Sequence, residues 1–456
     1  MSDGQNELVE LDIDTVAHGG VSVARLDGRV VFVADTLPGE RVLARVVDRR
    51  SSFWRADTVE VLSASPDRVE HVWSAASIDR DPERRAGGAE FGHIALGRQR
   101  GLKAEVLQDA LRRFGGVEHD VEVEPVGDAQ GHGLRWRTRL RLHVGADGRP
   151  GPYAARSHTV VDVDDLPLAT EAIEAEAGLG RPVEGAAAIE LVETAGGEVR
   201  VRRVAEELSK TGGSRGRQGG RRQGQRQGQG RRGGDRRRPG AGSTEAAAGS
   251  SSADRPATIV ERVGEREFRL AENGFWQVHR EAARTLTDAV AEITLPELFD
   301  PRAANHDLYG GVGLFAAALG DRFGQATRVT SVESEALATE YAGENLAEWI
   351  GAHAVTAPVD RYLADLERTA GQEERRRLAA ATVVLDPPRT GAGKAVTGAL
   401  TRLSPAQIVY VACDPVAFAR DTAYLAEGGY RLDALRAFDL FPHTHHLESV
   451  GRFVKD

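Results

Sequence analysis

The sequence holds one cysteine, Cys413, and it closes an apolar run, Val409-Tyr-Val-Ala-Cys-Asp-Pro415. A lone cysteine is either a small buried apolar residue or a nucleophile. A helix starting near Val416 would aim its first amides at the sulfur, and such amides lower a thiol pKa. Three other runs also end in groups with chemistry of their own. Asp307-Leu-Tyr-Gly-Gly-Val-Gly313 reads as a strand, a glycine turn and a helix start, and bare Gly311 and Gly313 let the backbone approach a ligand. Glu333 ends the next run, twenty residues after Gly313. An acid there binds the ribose hydroxyls of a nucleoside cofactor, or is only a surface residue after a tight turn. The spacing is not GxGxxG, which argues against a dinucleotide. Asp386-Pro-Pro-Arg389 follows the run ATVVL. Two prolines lead the chain rigidly out of a sheet and leave the carboxylate at its edge, as a ligand acceptor or as part of a turn. Phe441-Pro-His-Thr-His-His-Leu-Glu448 brings His443, His445 and His446 together without a matching acid or Cys cluster, so a metal site is disfavoured. Glu448 opens a last strand as a solvated edge residue or a general base.

The elements that carry these groups alternate from about residue 270 onward. Strand candidates HDLYGG, TRVTSVE, ATVVLDPP and QIVYVACDP are separated by runs of helical period. That pattern is α/β with a mostly parallel sheet, whose ligand site lies beyond the carboxyl ends of the strands. Every motif above falls at such an end. Residues 7–67 read instead as short strands broken at Asp27-Gly28 and Pro38-Gly39, a small antiparallel barrel. Between them the chain is less regular. LGRQRGLKAEVLQDALRRFGG has helical spacing, RWRTRLRLHVGADGRPGPYA reads as a hairpin turning at Asp147-Gly148, and VDVDDLPLAT and AIELVE suggest further strands. The expected division is 1–67, 68–265 and 266–456.

Composition narrows the class. A chain of 456 residues needs more than one core. Its net charge of −10 is unevenly spread: residues 209–242 hold eleven Lys or Arg and one Asp, so the rest carries about −20. Any nucleic-acid binding is therefore local. The tract around 209–255 is Gly, Arg, Gln and Ser, cannot bury a core and is expected to be disordered, as a phosphate-binding arm or a tolerated insertion. One cysteine excludes an internal disulfide and a multi-thiolate zinc site. The acidic start MSDGQNELVELD is not a signal peptide, and no apolar run is long enough to span a membrane. The expectation is a cytoplasmic protein with no membrane partner.

Taken together and in order, the motifs resemble the bacterial RNA 5-methyluridine methyltransferases, the tRNA and rRNA uracil-5 methylases. The N-terminal segment, with GRVVFVADTLPGE and SPDRV at 65–69, resembles that family's TRAM domain. Phe275-Trp-Gln277-Val-His, read as a helix opening, resembles its FxQ element, and DLYGGVGLF, DPPRTGAG, YVACDP with FARD, and FPHTHHLE resemble its successive signatures. The resemblance implies a Rossmann-like domain binding S-adenosylmethionine, with Gln277, Tyr309, Glu333 and Asp386 on the cofactor. It implies RNA as the partner, Cys413 as the nucleophile and Glu448 as the base. Gly310 and Asp414 depart from it, standing where Cys and Asn are common. Some relatives bind an iron–sulfur cluster on four cysteines. Here those places read Trp73, Ala86, Ala89 and Leu166, none able to ligate iron, so packing is expected in place of the cluster. Two rivals are a methylase of exocyclic amines, which needs no Cys, and an RNA-binding protein with a degenerate methylase domain.

Overall fold

A computed structural model describes residues 7–127, 132–205 and 255–455. The Arg- and Gly-rich tract lies outside them. The first five strands are β1 (Leu8–Ala17), β2 (Val21–Leu26), β3 (Arg29–Ala34), β4 (Arg41–Arg49) and β5 (Phe53–Ser63). They close into a barrel in the order β1-β2-β3-β5-β4, which removes the free edges an open sheet would expose; it is not antiparallel throughout as expected, because β3 and β5 pair parallel. Alternation drives it: every second residue of β4 turns inward, and Leu11, Ile13, Val31, Val33, Val42 and Ala56 fill the interior. Asp27 and Gly28, both with positive φ, make the two-residue link between β2 and β3.

Helix α1 (Leu96–Ala110) buries Leu102, Lys103, Leu107 and Ala110 and runs on through one wider turn, Leu111–Gly115. It packs on the far end of the chain, beside the short strand β6 (Val123–Pro125). Strands β7 (Arg139–Val144), β8 (Pro150–Gly151), β9 (Ala188–Glu193) and β10 (Val199–Val204) form a small antiparallel sheet in the order β10-β9-β7-β8, with helix α2 (Glu171–Glu176) against β9. The turn at Asp147-Gly148 and the strand AIELVE are as expected. VDVDDLPLAT is not a strand. Its carbonyls at Pro167 and Leu168 accept from Arg135 and Arg137, and Leu166 N donates to the Glu174 carboxylate, so no ladder forms. Leu166 instead joins Trp73, Ala86 and Ala89 in one apolar cluster. The four positions that the resemblance matches to iron ligands of some relatives thus share one apolar cluster.

A hairpin, β11 (Thr258–Val263) and β12 (Arg266–Ala271), leads into α3 (Ala282–Ile293). The remaining elements are β13 (Asn305–Leu308), α4 (Leu314–Phe323), β14 (Val329–Glu333), α5 (Ala336–Asn345), β15 (Ala352–Thr356), α6 (Val359–Thr369), α7 (Gln372–Ala379), β16 (Thr382–Leu385), α8 (Gly393–Leu403), β17 (Gln407–Ala412), α9 (Pro415–Glu427), β18 (Tyr430–Asp439) and β19 (Glu448–Lys455). Their sheet has the order β15-β14-β13-β16-β17-β19-β18-β6. Only β19 runs against its neighbours. β16 and β17 are buried at every residue because helices cover both faces of a parallel sheet. The strand order reverses direction of growth at β13/β16, so the crevice for a ligand opens there.

Candidate active site

A cavity of about 1040 Å³ sits at the carboxyl ends of β13, β14, β16 and β17. It is lined by Gln277, Tyr309, Gly311, Glu333, Asp386, Cys413 and Glu448, seven of the eight residues singled out in the sequence. The eighth, Gly313, does not line it. It caps the start of α4, with Leu346 closing the space beside its Cα.

Each lining group is held by local structure. Tyr309 turns off β13 with φ 61, a left-handed conformation that costs a non-glycine residue energy, and this brings its ring to the cavity wall. Gly311 has φ 54, and a Cβ there would point into open space. The Glu333 carboxylate is gripped by amides: Ser334 N (2.6 Å) and Glu335 N (2.9 Å) donate to Oε1, and Gly311 N (3.2 Å) donates to Oε2. It is a fixed acceptor, suited to a ribose diol. Asp307, behind the turn, accepts from Ala316 N (3.0 Å), its other oxygen has no partner among the described residues, and burial pushes its pKa up to about 7. Gly310 leaves no room for a side chain. Any Cβ there would overlap Ser331 Oγ and crowd Asp307.

Gln277 reaches the cavity from an irregular segment and not from a helix opening, because α3 starts only at Ala282. Long-range bonds claim its backbone surroundings: Thr138 N donates to Val278 O (2.8 Å) and Arg280 N to Trp136 O (3.0 Å).

Cys413 and Glu448 meet through sheet register. β17 and β19 pair antiparallel up to Ala412 opposite Ser449, so Cys413 and Glu448 are the next residue along each, near enough for the Glu448 charge to act on the thiol. Glu448 is buried, one of its oxygens has no partner among the described residues, and burial holds its pKa well above the usual carboxylate range. Burial also lifts Asp386, part-exposed at the cavity wall, to about 7. The Cys413 thiol is pushed up to about 12, first by burial, then by Glu448 and Asp386, with Arg389 opposing. The expected lowering by helix amides is absent. Asp414 Oδ1 already accepts from Val416 N (3.0 Å) and Ala417 N (2.8 Å), so the first amides of α9 are spent on the cap.

Sequence reasoning missed Arg137. It arrives from the segment before β7, lines the cavity, and makes no ion pair among the described residues; its Nε donates to Arg139 O (2.9 Å). Nothing in RWRTRLR distinguished it from its neighbours. His446 lines the same wall, 3.4 Å from an Arg389 nitrogen, while His443 is tied to Gln99 and His132 and His445 stands beside Glu90. Among the described residues no group of His, Cys, Asp and Glu is placed to hold a metal ion, and no helix is long and apolar enough to cross a membrane.

Comparison with known proteins identifies the family. The tRNA (uracil-5-)-methyltransferase family matches residues 259–455. An uncharacterized RNA methyltransferase of Streptomyces coelicolor is 38% identical, covering 98% of this chain and 92% of its own. The 23S rRNA (uracil(1939)-C(5))-methyltransferase RlmD of Halomonas elongata is 33% identical over 98% of this chain and 89% of its own. The fold is shared with the Pyrococcus abyssi tRNA (uracil-54, C5)-methyltransferase, solved with S-adenosyl-L-homocysteine: TM-score 0.64, 23% identity, 97% of this chain and 99% of that one. The chain belongs to the S-adenosylmethionine-dependent RNA (uracil-5-)-methyltransferase family.

Proposed function

We propose that this enzyme methylates a specific uridine of tRNA or rRNA through a covalent adduct between Cys413 and carbon 6 of the base. The observation that carries the reading is the register that brings Cys413 and Glu448 together at the wall of one cavity shared with Glu333 and Asp386. Relatives named for both tRNA and rRNA uracil support the substrate class.

The cavity fits the cofactor. Glu333 offers a fixed acceptor for ribose hydroxyls, Gly311 leaves open space, and Gln277, Tyr309 and Asp386 border the same volume. S-adenosylmethionine, when bound, supplies an electrophilic methyl on a sulfonium sulfur. The protein's task is to make carbon 5 of uracil nucleophilic. Cys413 does so as a thiolate: its Sγ bonds to carbon 6, and the electrons of the 5,6 double bond pass into an enolate. After carbon 5 gains the methyl, the Glu448 carboxylate removes the remaining carbon 5 proton. The freed pair rebuilds the double bond and expels Sγ. Arg137 and Arg389 are the cations facing this site, placed for a base carbonyl or a flanking phosphate. The target base must leave its stack to enter, which a loop nucleotide does at low cost.

Cys413→Ala is expected to abolish methylation while S-adenosylmethionine still binds in calorimetry. Glu448→Gln is expected to accumulate an RNA–protein species stable to denaturing electrophoresis, because addition proceeds and elimination does not. The species disappears in the double variant. Full activity in Cys413→Ala would overturn the mechanism and favour a methylase of exocyclic amines. Cofactor affinity is checked separately: Glu333→Ala is expected to bind S-adenosylmethionine at least about tenfold more weakly, as loss of a charge-assisted pair implies.

A further inference from the structure

The barrel touches the catalytic loop directly. The turn His18-Gly19-Gly20 between β1 and β2 lies against it on two sides. His18 Nε2 is 3.3 Å from Asp414 Oδ2. Gly20 is buried with φ 77, and a Cβ there would lie 3.0 Å from His445 Cβ, so only glycine lets the turn seat this closely. Asp414 thus uses both oxygens. One caps α9, and the other is held from the barrel. Cys413 is the residue between the end of β17 and this doubly held side chain.

We propose that His18 is a positioning residue for Cys413: the barrel's first turn fixes Asp414 and through it the orientation and charge environment of the nucleophile. This rests on the reading of Cys413 as nucleophile. The charges explain why a partner is needed at this spot. Cys413 already faces the Glu448 and Asp386 carboxyls, with Arg389 as the opposing cation, and Asp414 adds a further negative group. His18 faces that group from the barrel, while His445, across the turn, faces Glu90. The His18 side chain is 46% exposed and that of Asp414 21%, so water screens the pair and its effect is modest. The barrel then acts on turnover, because the contact that seats it also seats the nucleophile.

The single cysteine makes the test direct, since iodoacetamide reports on Cys413 alone. His18→Ala is expected to slow alkylation of the full-length enzyme about threefold near neutral pH, as a half-unit rise in thiol pKa implies. It is expected to lower kcat about three- to tenfold, with KM for RNA within about twofold. His18→Lys, which places an ammonium beside Asp414, restores both. In an Asp414→Asn background, which keeps the helix cap but removes the charge, His18→Ala has no further effect. Wild-type alkylation and kcat in His18→Ala would overturn the proposal. So would an undiminished loss in the Asp414→Asn background. The nucleophile reading fails separately, if Cys413→Ala still methylates RNA, and the alkylation rates judge the contact between barrel and loop whatever that result.

Discussion

Cys413, Glu448 and Asp386 share a consequence of burial. All three are shifted toward their neutral forms, Asp386 to about 7, Glu448 well above a normal carboxylate and the thiol to about 12. The mechanism needs the thiolate and the Glu448 carboxylate. Both are deprotonated forms, so their populations grow as pH rises through the raised values. Single-turnover methylation is therefore expected to climb with pH from about 6 to beyond 8, approaching tenfold per unit while one group limits. A rate flat above pH 5.5 would show that the loaded site lowers both groups below that pH, the thiol far below its ordinary value of 9. The identity of these residues was legible because Cys413 and Asp386 each end an apolar run and Glu448 opens the last strand. Their charge states were not. The amides expected to activate Cys413 are taken by Asp414, and burial against neighbouring acids depends on β19 lying beside β17, a long-range pairing invisible in either segment. Asp307 carries the same physics into stability. Its folded pKa, about 7, lies above the unfolded value, so it favours folding at low pH and that contribution fades as pH rises from about 4 to 7. Asp307→Asn keeps an oxygen for Ala316 N and is expected to raise Tm at pH 8, with little change at pH 4.5. An unchanged Tm at pH 8 would remove Asp307 from the buried acids.

Strands and tight turns were readable because they follow nearest-neighbour rules: alternation in β4, unbroken apolar runs in β16 and β17, positive φ at Asp27-Gly28. The two misreadings, a helix at Phe275 and strands in VDVDDLPLAT, fall where distant segments take the backbone bonds. Trp136 and Arg137 claim both stretches, through Arg280 N and Leu168 O, and no local pattern announces that. The turn after β13 gives an element whose side-chain space is shared with its neighbour. Gly310→Ala is expected to destabilise the protein by about 1–3 kcal/mol, the range for overpacking a filled site, because its new methyl meets Ser331 Oγ. Ser331 is buried and its hydroxyl has no partner among the described residues, so Ser331→Ala is expected to be tolerated and to return part of the loss. Additive losses in the double variant, read by differential scanning calorimetry, would show that the two side chains do not compete. The cap on α9 gives an independent check on this element. Asp414→Ala is expected to cost about 1 kcal/mol, whereas Asn, which keeps an acceptor, costs little.

For the molecule as a whole, charge is the feature the sequence displayed best and the fold places least. The net charge is −10, yet residues 209–242 alone carry +10, and they lie outside the described residues. A body of about −20 repels RNA at long range, and the cations inside the cavity are too few and too recessed to reverse that. Two readings of the tract follow, a phosphate-gripping arm or a tolerated insertion, and salt dependence separates them. Each phosphate neutralised by a cation steepens the fall of affinity with salt, by about 0.7 log units per log unit of salt for single strands. Residues 212–252 contain ten arginines against Asp235 and Glu245, so deleting them takes the net charge from −10 to −18. If the tract is an arm, the deletion weakens RNA binding severalfold or more at physiological salt and flattens the slope by several units, one contact at a time. Turnover on saturating RNA survives, because Cys413, Glu448, Glu333 and Asp386 all sit on elements after residue 300. An unchanged slope, measured by titrating labelled RNA from about 50 to 300 mM salt, would leave the tract an insertion and shift RNA capture to the barrel and the Arg137–Arg389 wall.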